Sequence, residues 1–253
     1  MHGRGCGGVL DWRGLRTINA EASSPIRIIS YNLRKNHASR ELEALVAKYD
    51  ADILCLQEAF TEELPDTLGE LSLSHSTKLN RLGLALYYRT SRFTAHDSRT
   101  LTLRKSLHDR VLDPTAERVV ATRMFDSEAG REIIVSSFHA SPLTASNSLR
   151  RHQIKTAHEG LRAMGEDLPA VMVGDYNYPL FREKLSSHMT LAGYDLTLSD
   201  RPTYLRYKIF RGHFDFATSV GMTIDSVETL PQGKSDHLPI MVTASYKTVP
   251  SVA

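Results

Sequence analysis

"SDHLPIMV", residues 235–242, joins a polar triplet to an apolar run. Leu238 to Val242 are apolar enough for a buried strand near the end of a domain. The approach to that strand nevertheless carries Ser235, Asp236 and His237 in a row. Polar side chains beside a core strand cost free energy unless they are partnered, so the triplet needs a reason.

Working outward, other strands end in the same manner. Residues 26–32 read as a strand closing on the polar triplet Ser-Tyr-Asn. A helix over 39–49 follows, with Leu42, Leu45 and Val46 at helical spacing. Residues 52–57 form a short apolar strand ending at Glu58. Strands at 84–88 and 92–95 read as a pair around a turn, and 119–125 with 132–138 as a hairpin joined through DSEAG. Helices are expected at 146–163, with Leu149, Ile154, Ala157 and Leu161 inward, and at 181–192. A buried strand at 170–174 and strands near 214–219, 223–229 and 238–245 complete the pattern. Asn32, Glu58, His139, Asp175 and Asp215 each stand at or just beyond the C-terminal end of a strand, and Asp236–His237 precede the last one. Strand ends meeting at one rim are where layered folds gather their sites.

The bulk composition agrees with a globular chain. Of 253 residues, 41% are hydrophobic and 24% charged, ordinary for a soluble domain. A formal charge of +2 neither demands nor excludes a polyanionic partner. Two cysteines, Cys6 in a glycine-rich segment and Cys55 within an apolar strand, make no disulfide framework. No apolar run approaches the roughly 18 residues of a membrane span, and the first 24 residues lack the apolar core of a secretory signal. The expected organisation is a tail over 1–24, one domain over 25–247 and a tail over 248–253, in a reducing cytoplasm.

The chemistry-bearing residues fit one reaction. Hydrolysing a phosphodiester needs a cation to neutralise phosphoryl oxygens, a group to activate water, and donors for the charge of the transition state. Asn32, Glu58 and Asp236 offer the hard oxygen ligands that Mg²⁺ prefers. Asp175 could deprotonate water, Asn177 could donate to the phosphate, and His139 and His237 could stabilise or protonate oxyanions. Asp236 or Asp215 would orient one of the imidazoles. Each has a structural explanation when taken singly: Asn32 as a turn former, Glu58 as a helix-start charge, and "GDYN" as an Asx turn after a strand. Together at strand ends they favour a hydrolytic metal site.

In chain order, "ISYNLR", "ILCLQE", "SFHA", "VGDYN", "FDFA" and "SDHLPI" resemble the successive motifs of the endonuclease/exonuclease/phosphatase superfamily, over about residues 26–246. The resemblance implies an α/β fold: a four-layer, DNase I-like sandwich of two mixed β-sheets flanked by helices, with a Mg²⁺ or Mn²⁺ site at one edge. It makes Glu58 the principal metal ligand, Asn32 its neighbour, and Asp236 a second metal-side carboxylate or an orienter of the histidines. Asp175 becomes the residue that activates water, with Asn177, His139 and His237 against the phosphate. Asp215 becomes the partner of a histidine. Two positions depart from the family pattern: Tyr176 stands where Phe or Leu is common, and Phe214-Asp215-Phe216 where an Ile-Asp-Tyr type is usual.

Surrounding loops bear on the substrate. Arg118 resembles an arginine that reaches the phosphate in some members; as a bare sequence feature it is equally a charge at the start of a strand. In "RPTYLRYKIFRGH" (201–213) four basic residues alternate with aromatics and no acid intervenes. As one strand it would present Tyr204, Arg206, Lys208 and Phe210 on one face, suited to tracking phosphates and stacking on bases. Nucleic acid is the leading substrate. A phospholipid, an inositol phosphate or a small phosphate ester is the alternative, and a catalytically silent binding protein on the same scaffold a second. The silent reading predicts loss of Glu58, Asp175 or His237, and all three are present.

Overall fold

The computed structural model describes residues 23–80, 82–106, 116–178, 182–207 and 210–247. A seven-stranded sheet runs in the order β14 (Met222–Thr229), β15 (Ile240–Tyr246), β1 (Ile26–Asn32), β2 (Ile53–Ala59), β5 (Gly83–Arg89), β4 (Leu71–Ser76), β3 (Thr67–Leu68). A six-stranded sheet runs β10 (Asp195–Leu198), β13 (Asp215–Val220), β9 (Ala170–Asp175), β8 (Arg131–His139), β7 (Glu117–Asp126), β6 (Phe93–Thr102). Both are mixed: β1 is parallel to β2 and antiparallel to β15, and β8 is parallel to β9 and antiparallel to β7. Two short antiparallel strands, β11 (Tyr204–Tyr207) and β12 (Phe210–Gly212), stand apart.

Side-chain alternation along each strand builds the layers. Ile26 and Ile28 of β1, Ile53 and Cys55 of β2, Val120 and Met124 of β7, and Val171 and Val173 of β9 share one core between the sheets. The intervening residues face outward. Ile29, Tyr31, Leu54 and Leu56 pack under α1 (Leu42–Tyr49) through Leu42 and Val46. Val119, Ala121, Ile134 and Met172 pack under α2 (Asn147–Arg162) through Ile154, Ala157 and Leu161, and under α3 (Arg182–Leu191) through Leu185 and Met189. The result is the expected four-layer sandwich.

Three details depart from the sequence reading. The strands expected to pair at 84–88 and 92–95 lie in different sheets, β5 against β2 and β4, β6 against β7; the turn between them crosses from one sheet to the other. Leu149 is only half-buried, and Arg150 and Gln153 occupy the inner face of α2 instead. Tyr207 pairs with Phe210 across β11 and β12, so the basic–aromatic stretch reverses rather than running on as one strand. Strands β3, β4 and β10 are short additions to the expected set, although Leu71-Ser72-Leu73-Ser74 and Asp195-Leu196-Thr197-Leu198 do alternate.

Candidate active site

The site is the polar end of the slot between the sheets. Following each inner-face row to its end gives Ile26, Ile28, Ser30, Asn32 on β1 and Val171, Val173, Asp175 on β9. It gives Ile133, Val135, Ser137, His139 on β8, and Arg118 ahead of Val120 on β7. Asp215 arrives from the other direction. It begins β13, which runs antiparallel to β9 and sets Asp215 opposite Asp175; it is not a strand's C-terminal end, as the sequence pattern suggested. Asn32, Asp175, Asp215 and His237 are each less than a tenth exposed.

Asp175 is the centre. Its Oδ2 accepts from Asn32 Nδ2 at 3.0 Å, across the two sheets, and from Asn177 Nδ2 at 3.3 Å. Its Oδ1 accepts the Asn177 backbone N–H at 2.8 Å, the Asx geometry expected of "GDYN". Asn177 has φ 48°, and its amide also donates to Ala140 O at 3.3 Å. The Nε2 atoms of His139 and His237 both stand 3.7 Å from Asp175 Oδ2. His237 Nδ1 lies 2.8 Å from Asp215 Oδ2, so Asp215, not Asp236, is the aspartate that orients this imidazole. Asp236 instead faces Arg34, at 3.6 Å.

Glu58 sits beside this cluster on a distorted strand end. The register of β2 against β5 shifts between Leu56 and Ala59, and Glu58 has φ 53°. A non-glycine residue held there is strained, and such strain collects at functional sites. The turn that follows β1 is equally unusual, with Arg34, Lys35 and Asn36 all at positive φ. Its backbone wraps the glutamate: Lys35 N–H donates to Glu58 Oε2 at 3.0 Å and Asn36 N–H to Glu58 O at 2.9 Å.

Electrostatics divides the groups. Burial raises the Asp175 carboxyl to about 7, with Asp215 and Glu58 adding to the rise against His237. Burial would lower His237, but Asp215, Asp175 and Asp236 outweigh it and hold the imidazolium up to about 10. Burial lowers His139 to about 4, opposed by Glu58 and reinforced by Arg118 and His237. The surroundings thus favour the charged form of His237 and the neutral form of His139.

Among the described residues, Asp175, Asp215 and His237 each place one ligand atom within 4.8 Å of the others, a grouping able to hold a metal ion. Arg118 is buried, its Nη1 donating to the carbonyls of His139 and Ala140 at 3.3 Å each. Tyr204 bridges His237 through its backbone and meets the imidazole edge-on, with centroids 5.0 Å apart. Lys208 lies outside the described residues, as does the side chain of Arg206. Two further side chains support the site. Ser235 Oγ donates to Asn32 O and accepts from His237 N–H, and Thr203 Oγ1 accepts from the N–H groups of Phe214 and Asp215. Ser235 was visible inside the polar triplet; Thr203 carried no signal.

Such a sandwich gathers carboxylates and imidazoles at the mouth of its slot, an arrangement suited to hydrolytic chemistry. The chain belongs to the endonuclease/exonuclease/phosphatase family, whose model matches residues 19–237, and members of that family are generally phosphoesterase hydrolases. It is similar to Protein angel of Drosophila melanogaster, 27% identical over 168 residues, 60% of this chain and 45% of that protein; it thus spans less than half the length of that relative. Solved structures share the fold. D. rerio TDP2 complexed with a single-strand DNA product is 18% identical with a TM-score of 0.69, covering 88% of this chain and 99% of that one. ANGEL2, a 2′,3′-cyclic phosphatase in complex with adenosine-2′,3′-vanadate, is 14% identical with a TM-score of 0.67, covering 88% and 96%.

Proposed function

We propose that the chain is a Mg²⁺- or Mn²⁺-dependent phosphodiesterase that cleaves phosphodiester bonds in nucleic acid. The observation that carries this reading is the geometry at Asp175: a buried carboxylate clamped by two amides and faced by two imidazoles, with burial first and its acidic neighbours second raising its pKa. A general base works best when its pKa lies near the working pH.

The oxygen-rich side of the site suits a hard cation. Glu58, on its strained strand end with Oε2 accepting from Lys35 N–H, would be the principal ligand, with Asp236 and Asn32 beside it. His237 Nδ1 is engaged by Asp215, which makes the Asp175–Asp215–His237 grouping better suited to proton chemistry than to ligation. A divalent cation supplies charge neutralisation at the phosphoryl oxygens. The chain's own groups do the rest. Asp175 removes the proton from the attacking water, and Asn32 and Asn177 fix the direction of its lone pairs. The His237 imidazolium, kept protonated by Asp215, donates to a phosphoryl oxygen as charge develops. His139, neutral, adds a hydrogen bond, and Arg118 anchors the carbonyl of His139 and the one after it.

Two relatives support the nucleotide substrate: TDP2 was captured with a DNA product and ANGEL2 with an adenosine-based vanadate. The test is hydrolysis of labelled single-stranded RNA and DNA, and of a duplex carrying an abasic-site analogue, with and without Mg²⁺, alongside Asp175→Asn. Metal-dependent cleavage that falls roughly a thousandfold or more in the variant is expected. Equal rates in the two proteins would sink the mechanism. Absence of any cleavage of nucleic acid would move the substrate to small phosphate esters or lipid headgroups.

A further inference from the structure

The rim that carries the site continues past it. Along the second sheet the strand order β13, β9, β8, β7, β6 sets Asp215, Asp175, His139 and Arg118 side by side. The segment leaving β6 then brings Arg104 and Lys105 to the same edge. There a cavity of about 490 Å³ opens, lined by Arg104, Lys105, Ser106, Ser146, Ser148 and His152, with Leu149. No described lining residue is acidic. Gln153, fully buried, ties the lining segment to its neighbour: Nε2 donates to Arg104 O at 2.7 Å and to Ser141 Oγ at 2.8 Å, and Oε1 accepts Ser141 N–H at 2.9 Å. Ser141 follows His139 by two residues, so one side chain couples the basic cavity to the segment bearing the catalytic histidine.

We propose that this cavity is a second phosphate-binding subsite, which holds a backbone phosphate of the same nucleic-acid strand whose scissile phosphate lies at Asp175. The inference rests on the reading of the chain as a nucleic-acid phosphodiesterase and adds a preference for strands over mononucleotides. From β9 to β6 is three strand spacings, roughly 14 Å at about 4.8 Å each. A strand of a few nucleotides spans that distance and a single nucleotide does not. A guanidinium and an ammonium over hydroxyl donors suit a phosphodiester oxygen.

Anisotropy of a short labelled single-stranded oligonucleotide, titrated in EDTA so that nothing turns over, tests this apart from catalysis. Arg104→Gln/Lys105→Gln should weaken binding roughly tenfold and flatten the dependence of log K on log salt by about 0.7 for each phosphate no longer neutralised. The ratio of kcat/KM for the oligonucleotide to that for a dinucleotide should fall with it. Unchanged affinity in the double variant, or no strand binding by the wild type, overturns the subsite. A wild type that binds the strand, loses it in the variant, yet hydrolyses no diester overturns the proposed activity and leaves the subsite standing.

Discussion

At the scale of the residue, Asp215 is the informative case. It is buried beside Asp175, and the 2.8 Å contact to His237 Nδ1 is what lets an imidazolium persist in the slot. Asp215→Asn keeps the shape and removes the charge, so His237 should lose its proton at much lower pH. The rate should drop by roughly 10²–10⁴, the usual worth of a positioned proton donor. NMR titration of the His237 ring, read beside the rate, checks this; an unmoved titration would refute the pairing. Sequence alone showed that Asp215, Asp236 and His237 belonged together. It did not show which aspartate turns to the ring, because neighbours in the chain alternate faces and only the antiparallel pairing of β13 with β9 brings Asp215 under His237.

At the scale of the element, two positions show how the strands and helices hold the site. β8 and β9 approach so closely at Gly174, where φ is 148°, that a Cβ would stand 1.9 Å from Phe138 O. The obstacle is backbone of the strand that ends in His139. Gly174→Ala should therefore cost about 3 kcal/mol or more, read as a lowered urea midpoint; a midpoint within error of wild type would contradict the close approach. On α2, His158 is buried, stacks on Tyr194 with centroids 3.6 Å apart, and has Nε2 2.9 Å from Thr218 Oγ1. Burial, with Arg162 adding, lowers its pKa from an ordinary 6.5 to about 3. Below 6.5 the unfolded chain gains a proton that the folded one refuses. The stability tied to this group is thus full above about 6.5 and is lost as pH falls toward 3. Unfolding midpoints measured across that window should decline less steeply in His158→Gln. Parallel declines would rule the group out. The helix itself was legible from its spacing, whereas the polar inner face of Arg150, Gln153 and His158 was not, since periodicity marks apolar positions only.

At the scale of the whole molecule, the sheets are fastened at the end opposite the site. Arg92, at the start of β6, donates to Asp126 at 3.0 and 3.2 Å within its own sheet and to Asp52 of the other sheet at 3.3 Å. It also reaches the carbonyls of Ser24 and Pro25. All three side chains are buried. Arg92→Met would leave the buried Asp126 carboxylate without its cation, while Asp52 keeps Arg89 Nε at 3.3 Å, a loss of roughly 3–5 kcal/mol. Thermal unfolding should show it, with the metal-dependent rate of the surviving folded protein near that of wild type. A rate lost in proportion to stability would mean that the two ends of the sandwich are not independent. Among the described residues, no helix is long and apolar enough to cross a membrane.

The repeating apolar rows, the helices that cover them and the kinds of residue at the row ends are written in the sequence: Asn32, His139 and Asp175 stand two or fewer positions past the last buried apolar side chain of their strands, and Glu58 lies between buried Leu56 and Ala59. These are local facts, written in a period of two or of 3.6. The tertiary structure decided everything that depends on a distant partner. It sent β5 and β6 to different sheets, faced Asp215 rather than Asp236 to His237, folded the basic–aromatic stretch back on itself, and lined a basic cavity along the same rim. Pairing partners are chosen by which faces can be buried together across the whole chain, and a period within one segment carries no record of that choice.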